Sequence, residues 1–376
     1  MNNTLNTFCS LPWVGLDVSP QGSFKPCCKY SNTLASNIDD YFASTELESV
    51  KQDFLAGKRP EGCARCWRDE DAGLESKRQL DFKYTFDSIA PELDGLKVIS
   101  MPFGNTCNLA CRICSSSASS RWYTEALRLR DKIPEIVVRD HKKFYKDQTF
   151  MTEIVSRTNN PVLFEFPGGE PFLTGKKEHL SFLHDLSKTD ASNLKLHYVT
   201  NTTIMPDTEF WEIWKLFKNV DLQLSIDGIG SHFEYNRWPA NWTQSYKHIK
   251  EYQRLQQQYS NIQLSISHTV SIFTVYYLPE FMTWCESEGL PEPYLGLLTE
   301  PLHYSTKSLP LPVAMAISER LTSPKLEKIA RDLLDNNSND FDKFANYVTI
   351  IDDDRKQNFS STFPELYQLL KEYFNA

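Results

Sequence analysis

From Leu96 to about residue 300 the chain alternates between two hydrophobic periods. Short apolar or alternating runs read as strands: Leu96 to Phe103, Pro161 to Phe166, Leu194 to Val199, Asp221 to Ile226, Asn261 to Val270 and Tyr294 to Leu298. Stretches with apolar residues every three or four positions read as helices between them: Lys177 to Leu186, Thr208 to Phe217, Trp242 to Gln258 and Leu278 to Glu288. A polar, partly helical segment from Tyr123 to Thr158 lengthens the first connection. Six strand–helix repeats predict an α/β fold with a parallel sheet and right-handed crossovers.

The flanks follow other patterns. Alternation around Trp13 to Val18, a break at Pro20-Gln21-Gly22 and a return through Ser23-Phe24-Lys25 predict a β-hairpin. Thr45 and Glu48 form a capping box for a helix whose apolar face is Leu47, Val50 and Phe54, ended by Gly57 and Pro60. Near the C-terminus two amphipathic helices are expected. Ser323-Pro324 opens one with Leu326, Ile329 and Leu333 on its face; Leu366, Leu369, Leu370 and Tyr373 line the other. Asp335 to Asp340 reads as a loop, and no solenoid-type repeat is present. The expected divisions are residues 1–85, 96–300 and 301–376.

Composition narrows the function. The 376 residues are 40% hydrophobic and carry a formal charge of −9, and the pI is about 5.5. No long basic run is present, which argues against general duplex nucleic-acid binding. Met1 to Ser10 is polar and lacks the apolar segment of a signal peptide, and no run approaches the ~18 apolar residues of a membrane span. Eight of the nine cysteines fall in clustered motifs, which points to metal ligation in a reducing cytosol rather than to disulfides.

The densest cluster is Cys107, Cys111 and Cys114, spaced Cys-x3-Cys-x2-Cys on the loop that leaves the first predicted barrel strand. Three thiolates at this spacing suit three irons of a 4Fe–4S cubane and leave the fourth iron open. A zinc loop, or three unrelated buried cysteines, also fits the triplet. Upstream, the hairpin carries Cys9 and Cys27 at its open ends, and Cys63-Ala-Arg-Cys66 follows the first helix. Four cysteines close a site that suits zinc or a second iron–sulfur cluster equally. Cys28 adjoins Cys27 and reads as a small buried residue, or as its substitute.

The triplet resembles the signature of radical S-adenosylmethionine (SAM) enzymes, with Ile113 where that family usually has an aromatic residue. The resemblance implies a partial (β/α)6 TIM-type barrel. It also implies SAM chelated to the open iron and cleaved by one electron to methionine and a 5′-deoxyadenosyl radical, which takes a hydrogen atom from the substrate. Cys9, Gly22-x4-Cys27 and the later cysteine pair resemble the twitch module, a short form of the SPASM domain. That module usually follows the barrel and here precedes it. Cys9, Cys27, Cys63 and Cys66 are then the ligands of an auxiliary cluster, giving two 4Fe–4S clusters in all.

The strand ends continue the resemblance. Residues 166 to 171, FPGGEP, match the family's GGEP motif, which implies contact of Gly168, Gly169 and Glu170 with the SAM amino group; two glycines let backbone approach a ligand closely. Thr200-Asn201 resembles the family's Thr-Asn-Gly, with Thr202 in place of glycine. Ser225 and Asp227 resemble residues near the SAM carboxylate and ribose. Arg237, nine residues after Gly228, matches an arginine that pairs the methionine carboxylate, a task suited to a guanidinium. Tyr294 to Leu298 falls where the family packs on adenine. Ser265, Ser267 and His268 lie on the fifth barrel strand, where His268 reads as a polar core residue; Cys285 reads as plain core. No catalytic acid or base stands out. A ribosomally made peptide is the expected substrate, with a nucleotide or other small molecule as the alternative, and a reducing electron donor is the expected partner. From a different class, a zinc-stabilised binding protein on the same barrel remains open.

Overall fold

The computed structural model describes residues 7–19, 21–73, 75–80, 95–136, 138, 147–173, 175–335 and 340–374. Pro20 of the expected hairpin turn, most of the Asp335–Asp340 loop and the boundary near residue 85 lie outside the described residues.

Among the described residues eight strands make one sheet: β1 (Gly15–Val18), β2 (Phe24–Lys25), β3 (Leu96–Ser100), β4 (Thr158–Phe166), β5 (Lys195–Thr200), β6 (Asn219–Ser225), β7 (Ile262–Val270) and β8 (Tyr294–Leu297). Their order is β2-β1-β3-β4-β5-β6-β7-β8, so β2 and β8 are the two edges and the sheet is open. From β3 onward every neighbouring pair is parallel and consecutive in sequence. Right-handed crossovers in that order place all connecting helices on one face. The six predicted α/β repeats are present. The helices Lys176–Leu186, Thr208–Trp214, Trp242–Gln258 and Leu278–Ser287 fall where the 3.6-residue period put them.

Three expectations need correction. The hairpin is shorter than its alternation suggested, because Leu11–Val14 forms a helical turn and only Gly15–Val18 is strand. Strand β1 also pairs in parallel with β3, so the N-terminal region extends the main sheet. The first long helix is Thr45–Leu55, and its cap is Ser44, whose side chain accepts from Leu47 N; Thr45 is already helical. The third correction is an omission. Besides Glu327–Leu334 and Pro364–Leu370, the C-terminal part holds the fifteen-residue helix Phe341–Arg355. Phe341, Phe344, Tyr347, Val348 and Ile351 bury one face of it.

The two faces of the sheet differ in polarity. Burial alternates strictly along β5 and β6, and nearly so along β7. Leu196, Tyr198, Val220, Leu222, Leu224, Leu264 and Ile266 point under the helices and belong to one apolar core with Phe164, Phe182, Trp214 and Tyr252. The opposite face is polar. One register row crosses five strands as Asp17, Ser100, Glu165, His197 and Asp221. Parallel sheets are usually apolar on both faces; here the row is held by polar pairing. Lys77 Nζ donates to both Glu165 oxygens at 3.0 and 3.1 Å. His197 Nδ1 lies 2.7 Å from Asp221 Oδ2, and Ser265 Oγ donates to Asp221 Oδ1 at 2.8 Å. Among the described residues no helix is long and apolar enough to cross a membrane.

Burial opposes a charge on His197, but the bond to Asp221 and the Glu165 carboxylate outweigh it and hold its pKa above the ordinary value. A raised folded pKa contributes stability that is fully present below the unfolded value of about 6.5 and is lost as pH rises through the folded one. His197→Gln should therefore cost more unfolding free energy at about pH 5.5 than at about pH 9. Denaturant titrations at both pH values check this; an equal cost would mean the ring is uncharged in the row.

Candidate functional site

After β3 the chain runs from Met101 to Ser119 without regular structure, so its backbone groups need partners elsewhere. Three segments supply them. Glu170 N donates to Thr106 O at 2.8 Å and Gly169 N to Ala118 O at 3.1 Å. Ala110 N donates to Trp238 O at 2.7 Å and Arg112 N to Asn236 O at 2.8 Å. The helix Ser120–Leu129 closes the loop: its Ser119 cap accepts from Trp122 N and donates to Leu109 O, and Trp122 Nε1 donates to Cys111 O at 2.6 Å.

This loop carries Cys107, Cys111 and Cys114, each half-buried. Burial raises all three thiol pKa values, that of Cys114 to about 12. Charge on one thiol also disfavours charge on the next, whereas the Arg237 guanidinium favours the Cys111 and Cys114 thiolates. Cys107 Sγ accepts from Leu109 N at 3.5 Å and Asn201 Nδ2 at 3.7 Å.

The predicted strand-end residues surround the loop. Glu170 is buried; its carboxylate accepts from Thr200 Oγ1 at 3.0 Å and Asn201 N at 2.8 Å, tying the end of β4 to the end of β5. Burial lifts its pKa to about 7, against the pull of those donors. Asn201 Nδ2 also donates to Asn108 Oδ1 at 2.9 Å, and its Oδ1 accepts from Thr203. Thr202 has φ +66°, a left-handed conformation that costs a β-branched residue strain, at the position where the resemblance has glycine. Gly168 and Gly169 also have positive φ. The close approach at Gly169 is to the cysteine loop: a Cβ there would sit 2.6 Å from Thr106 O. Asp227 accepts from Thr269 N at 2.8 Å and pairs with Arg237, whose NH2 lies 2.7 Å from its Oδ2; both are buried. Burial works against the Arg237 charge, but Asp227, Cys111 and Cys107 more than compensate. Ser225 ends β6 on the polar face. His268 is buried, lies 2.9 Å from Ile226 O through Nδ1 and packs on Phe281; burial lowers its pKa, so it is neutral. Cys285 is buried within its helix.

Cys9, Cys27, Cys63 and Cys66 line one small pocket with Lys29, Tyr30, Phe54, Lys77 and Arg78. Its walls are fastened to each other. Ser31 N donates to Gly62 O at 3.0 Å, and Arg78 pairs with Glu70, donates to Phe8 O and stacks over Trp67 at 4.9 Å. Burial raises the thiol pKa values of Cys27, Cys63 and Cys66, that of Cys63 to about 12. Cys28 is exposed and does not line the pocket; the charged groups acting on it include Lys77, Asp17 and Glu165 of the polar row.

Among the described residues no three His, Cys, Asp or Glu side chains converge on one point as a single ion requires. A mononuclear zinc site gathers its sulfurs about 2.3 Å from one centre. A cubane offers a separate iron to each thiolate, so its ligands surround a shared space. The donor set, thiols in both groups, suits a thiolate-bound metal centre of either kind. Buried thiols with raised pKa values stay protonated unless a bound cation takes the proton's place. Beside the triplet, Arg237 Nε is a buried donor with no acceptor among the described residues, the type of group an anionic ligand satisfies.

Two cavities flank this region. One, of about 520 Å³, is lined by Ile113, Cys114, Trp122, His303, Lys343 and Tyr347 among others. The other, of about 940 Å³, lies between the helix Ala64–Asp71, with Trp67, Arg68 and Asp71, and the end of β8. Glu300 and Leu302 border both. The sequence reading missed the polar row and the residues that hold the loop from the C-terminal side, Asp352 and Arg355. A charged arginine, Arg112, between two candidate ligands was the signal that pointed to them.

No family model matches the chain, and no curated protein matches it. Solved structures similar in part include native anSMEcpe with bound AdoMet, 18% identical with a TM-score of 0.41 over 60% of this chain and 58% of that one. Native anSMEcpe with AdoMet and the Cp18Cys peptide is 17% identical, with a TM-score of 0.40 over 60% of this chain and 59% of that one. The radical S-adenosylmethionine methyltransferase TsrM from Kitasatospora setae, with cobalamin and a 4Fe-4S cluster bound, is 12% identical, with a TM-score of 0.36 over 67% of this chain and 44% of that one. The chain thus spans less than two thirds of the length of each.

Gly169 and Gly230 separate conformational cost from loop contact. Both have positive φ, but a Cβ on Gly230 meets nothing within 4 Å. Gly230→Ala should cost about 1 kcal/mol. Gly169→Val adds a clash with the Thr106 carbonyl and should cost about 3 kcal/mol or more. Denaturant melts of the two variants give the comparison; equal costs would mean that the cysteine loop yields freely.

Proposed function

We propose that this chain is a radical SAM enzyme. The observation that carries the reading is the irregular loop at the end of β3. It presents three half-buried, mutually interacting thiols beside a buried arginine with an unsatisfied donor. A 4Fe–4S cluster held by three thiolates would leave one iron open for SAM and would supply the one electron for its reductive cleavage to methionine and a 5′-deoxyadenosyl radical. Cys107, Cys111 and Cys114 are the residues to hold that cluster.

Arg237, which pairs with Asp227, is the residue proposed to receive the methionine carboxylate. Glu170 and Asn201 brace the loop from β4 and β5, with Asn201 donating toward Cys107 Sγ. Hydrogen bonds to a ligand sulfur are one way a chain sets a cluster's potential. Gly168, Gly169 and Ser225 complete the proposed SAM contacts. Cys9, Cys27, Cys63 and Cys66 are proposed to hold a second cluster with no iron left open, in a twitch-like role of docking substrate or relaying electrons. The cavity between Trp67, Arg68, Asp71 and the end of β8 offers room for substrate beside that module. It is lined by side chains of both charges, which suits a peptide. The partners this chemistry needs are a peptide and a low-potential electron donor of the cytosol.

Anaerobically reconstituted protein should hold about eight irons and eight sulfides per chain. With SAM and a strong reductant it should form 5′-deoxyadenosine, and Cys111→Ala should abolish the product. A cluster-loaded parent that leaves SAM intact would sink the reading. Cys66→Ala should retain about four irons and still cleave SAM. Stoichiometric zinc at the N-terminal cysteines would remove the second cluster and leave the first untouched.

A further inference from the structure

Between Cys111 and Cys114 sits Arg112, whose side chain has no exposed surface. A buried guanidinium requires a counter-charge and acceptors. Its NH2 donates to Asp352 Oδ1, and to Gln357 Oε1 at 3.0 Å. The guanidinium lies 3.8 Å from the centre of the Tyr235 ring, and its Nε and NH1 have no acceptor among the described residues. Asp352 is held in turn by Tyr235 OH at 2.8 Å and Phe359 N at 2.6 Å. One turn further on, Arg355 repeats the arrangement. Its Nε donates to Glu125 Oε1 and its NH2 to Ala110 O, both at 2.7 Å, so it grips the cysteine loop's backbone next to Cys111. Its guanidinium stacks over Trp122 and Trp238, which border the same loop.

We infer that the C-terminal helix Phe341–Arg355 is a working part of the cysteine site. Asp352 is its positioning residue: it neutralises Arg112 and fixes the backbone between Cys111 and Cys114. The inference rests on the reading of that loop as a cluster loop. The geometry is local to the site. Asp352 and Arg355 lie on one helix three residues apart, hence on one face. That face meets the loop at two points, Ala110 and Arg112, which bracket Cys111. The pair Arg128–Asp354, with Arg128 exposed and Asp354 half-buried, joins the helices Ser120–Leu129 and Phe341–Arg355 without a hydrogen bond to the loop, and provides an internal control. Electrostatics gives the direction of the effect. With Asp352 present the buried pair is neutral. Without it, a lone positive charge stands beside the cluster and favours the reduced, more negative state.

The test uses full-length protein in metal-free and reconstituted forms. Asp352→Asn keeps the shape and removes the charge. Iron should fall from about eight toward about four per chain, the remainder held by the N-terminal cysteines. The fraction that loads should show an upward shift in midpoint potential by EPR-monitored titration. About tenfold in the reduction equilibrium, or about 59 mV for one electron, is the expected size. Asp354→Asn should change neither. Because Asp352→Asn risks poor folding, the double variant Arg112→Met/Asp352→Leu replaces the pair with apolar side chains, a change that buried ion pairs often tolerate. It should recover the melting temperature of the metal-free protein but not the iron, since the tether is gone. Parental iron and potential in Asp352→Asn would overturn the inference. So would a double variant no more stable than the single one, because Arg112 and Asp352 would then be uncoupled. A parent that takes up no iron defeats the cluster reading instead, while the metal-free melting temperatures still test the clamp.

Discussion

Everything around the ends of β3, β4 and β5 depends on holding an irregular, thiol-bearing loop in one shape. A strand or helix satisfies its own backbone; the stretch from Met101 to Ser119 does not. Its amides and carbonyls are taken up by the Gly169-Glu170 turn, by Asn236 and Trp238, and by the cap of the following helix. The first partner follows the end of β4, the second ends the helix Gly230–Asn236, and the third opens the helix Ser120–Leu129, so sheet and helices together set the loop's shape. Removing a partner leaves buried polar groups unpaired, at about 1–3 kcal/mol for each. The loop is therefore specified by several independent contacts, which is what a site with fixed metal geometry needs.

The sheet achieves this while being apolar on one face only. Side chains under the helices supply the hydrophobic driving force, and the other face is a connected polar surface. The charged row from Asp17 to Asp221 survives partial burial because every member has a partner in the row or beside it. Thr202 shows a different compromise. Its left-handed backbone lets Asn201 face both Glu170 and Cys107, and the strain is retained because the neighbouring contacts over-determine the turn.

Much of this was legible in the sequence. Six strands, four crossover helices and the cysteine loop at a strand end follow from periodicity and turn residues alone. The four N-terminal cysteines could be grouped because their spacing brackets a hairpin and a helix. Three features were not legible, for separate physical reasons. Ser44 and Thr45 are both competent caps, and only the backbone angle decides between them. The pairing of β1 with β3 joins segments some eighty residues apart, and a four-residue strand carries no signal of its neighbour. The clamp on Arg112 spans 240 residues. Its helix does show an apolar face, Phe341, Phe344, Tyr347, Val348 and Ile351, but runs of acidic residues at its end masked that face. Asp352, the residue that matters most there, looks like one more surface aspartate in Asp352-Asp353-Asp354.

The ladder between β1 and β3 also bears on motion. Strand β1 leads away from Cys9, and β3 leads into the cysteine loop. The two thiol groups therefore hang from adjacent strands of one hydrogen-bonded lattice. A module attached by a flexible linker can swing; one woven into the sheet cannot move without breaking backbone pairing. The separation of the two groups is thus a constant of the fold.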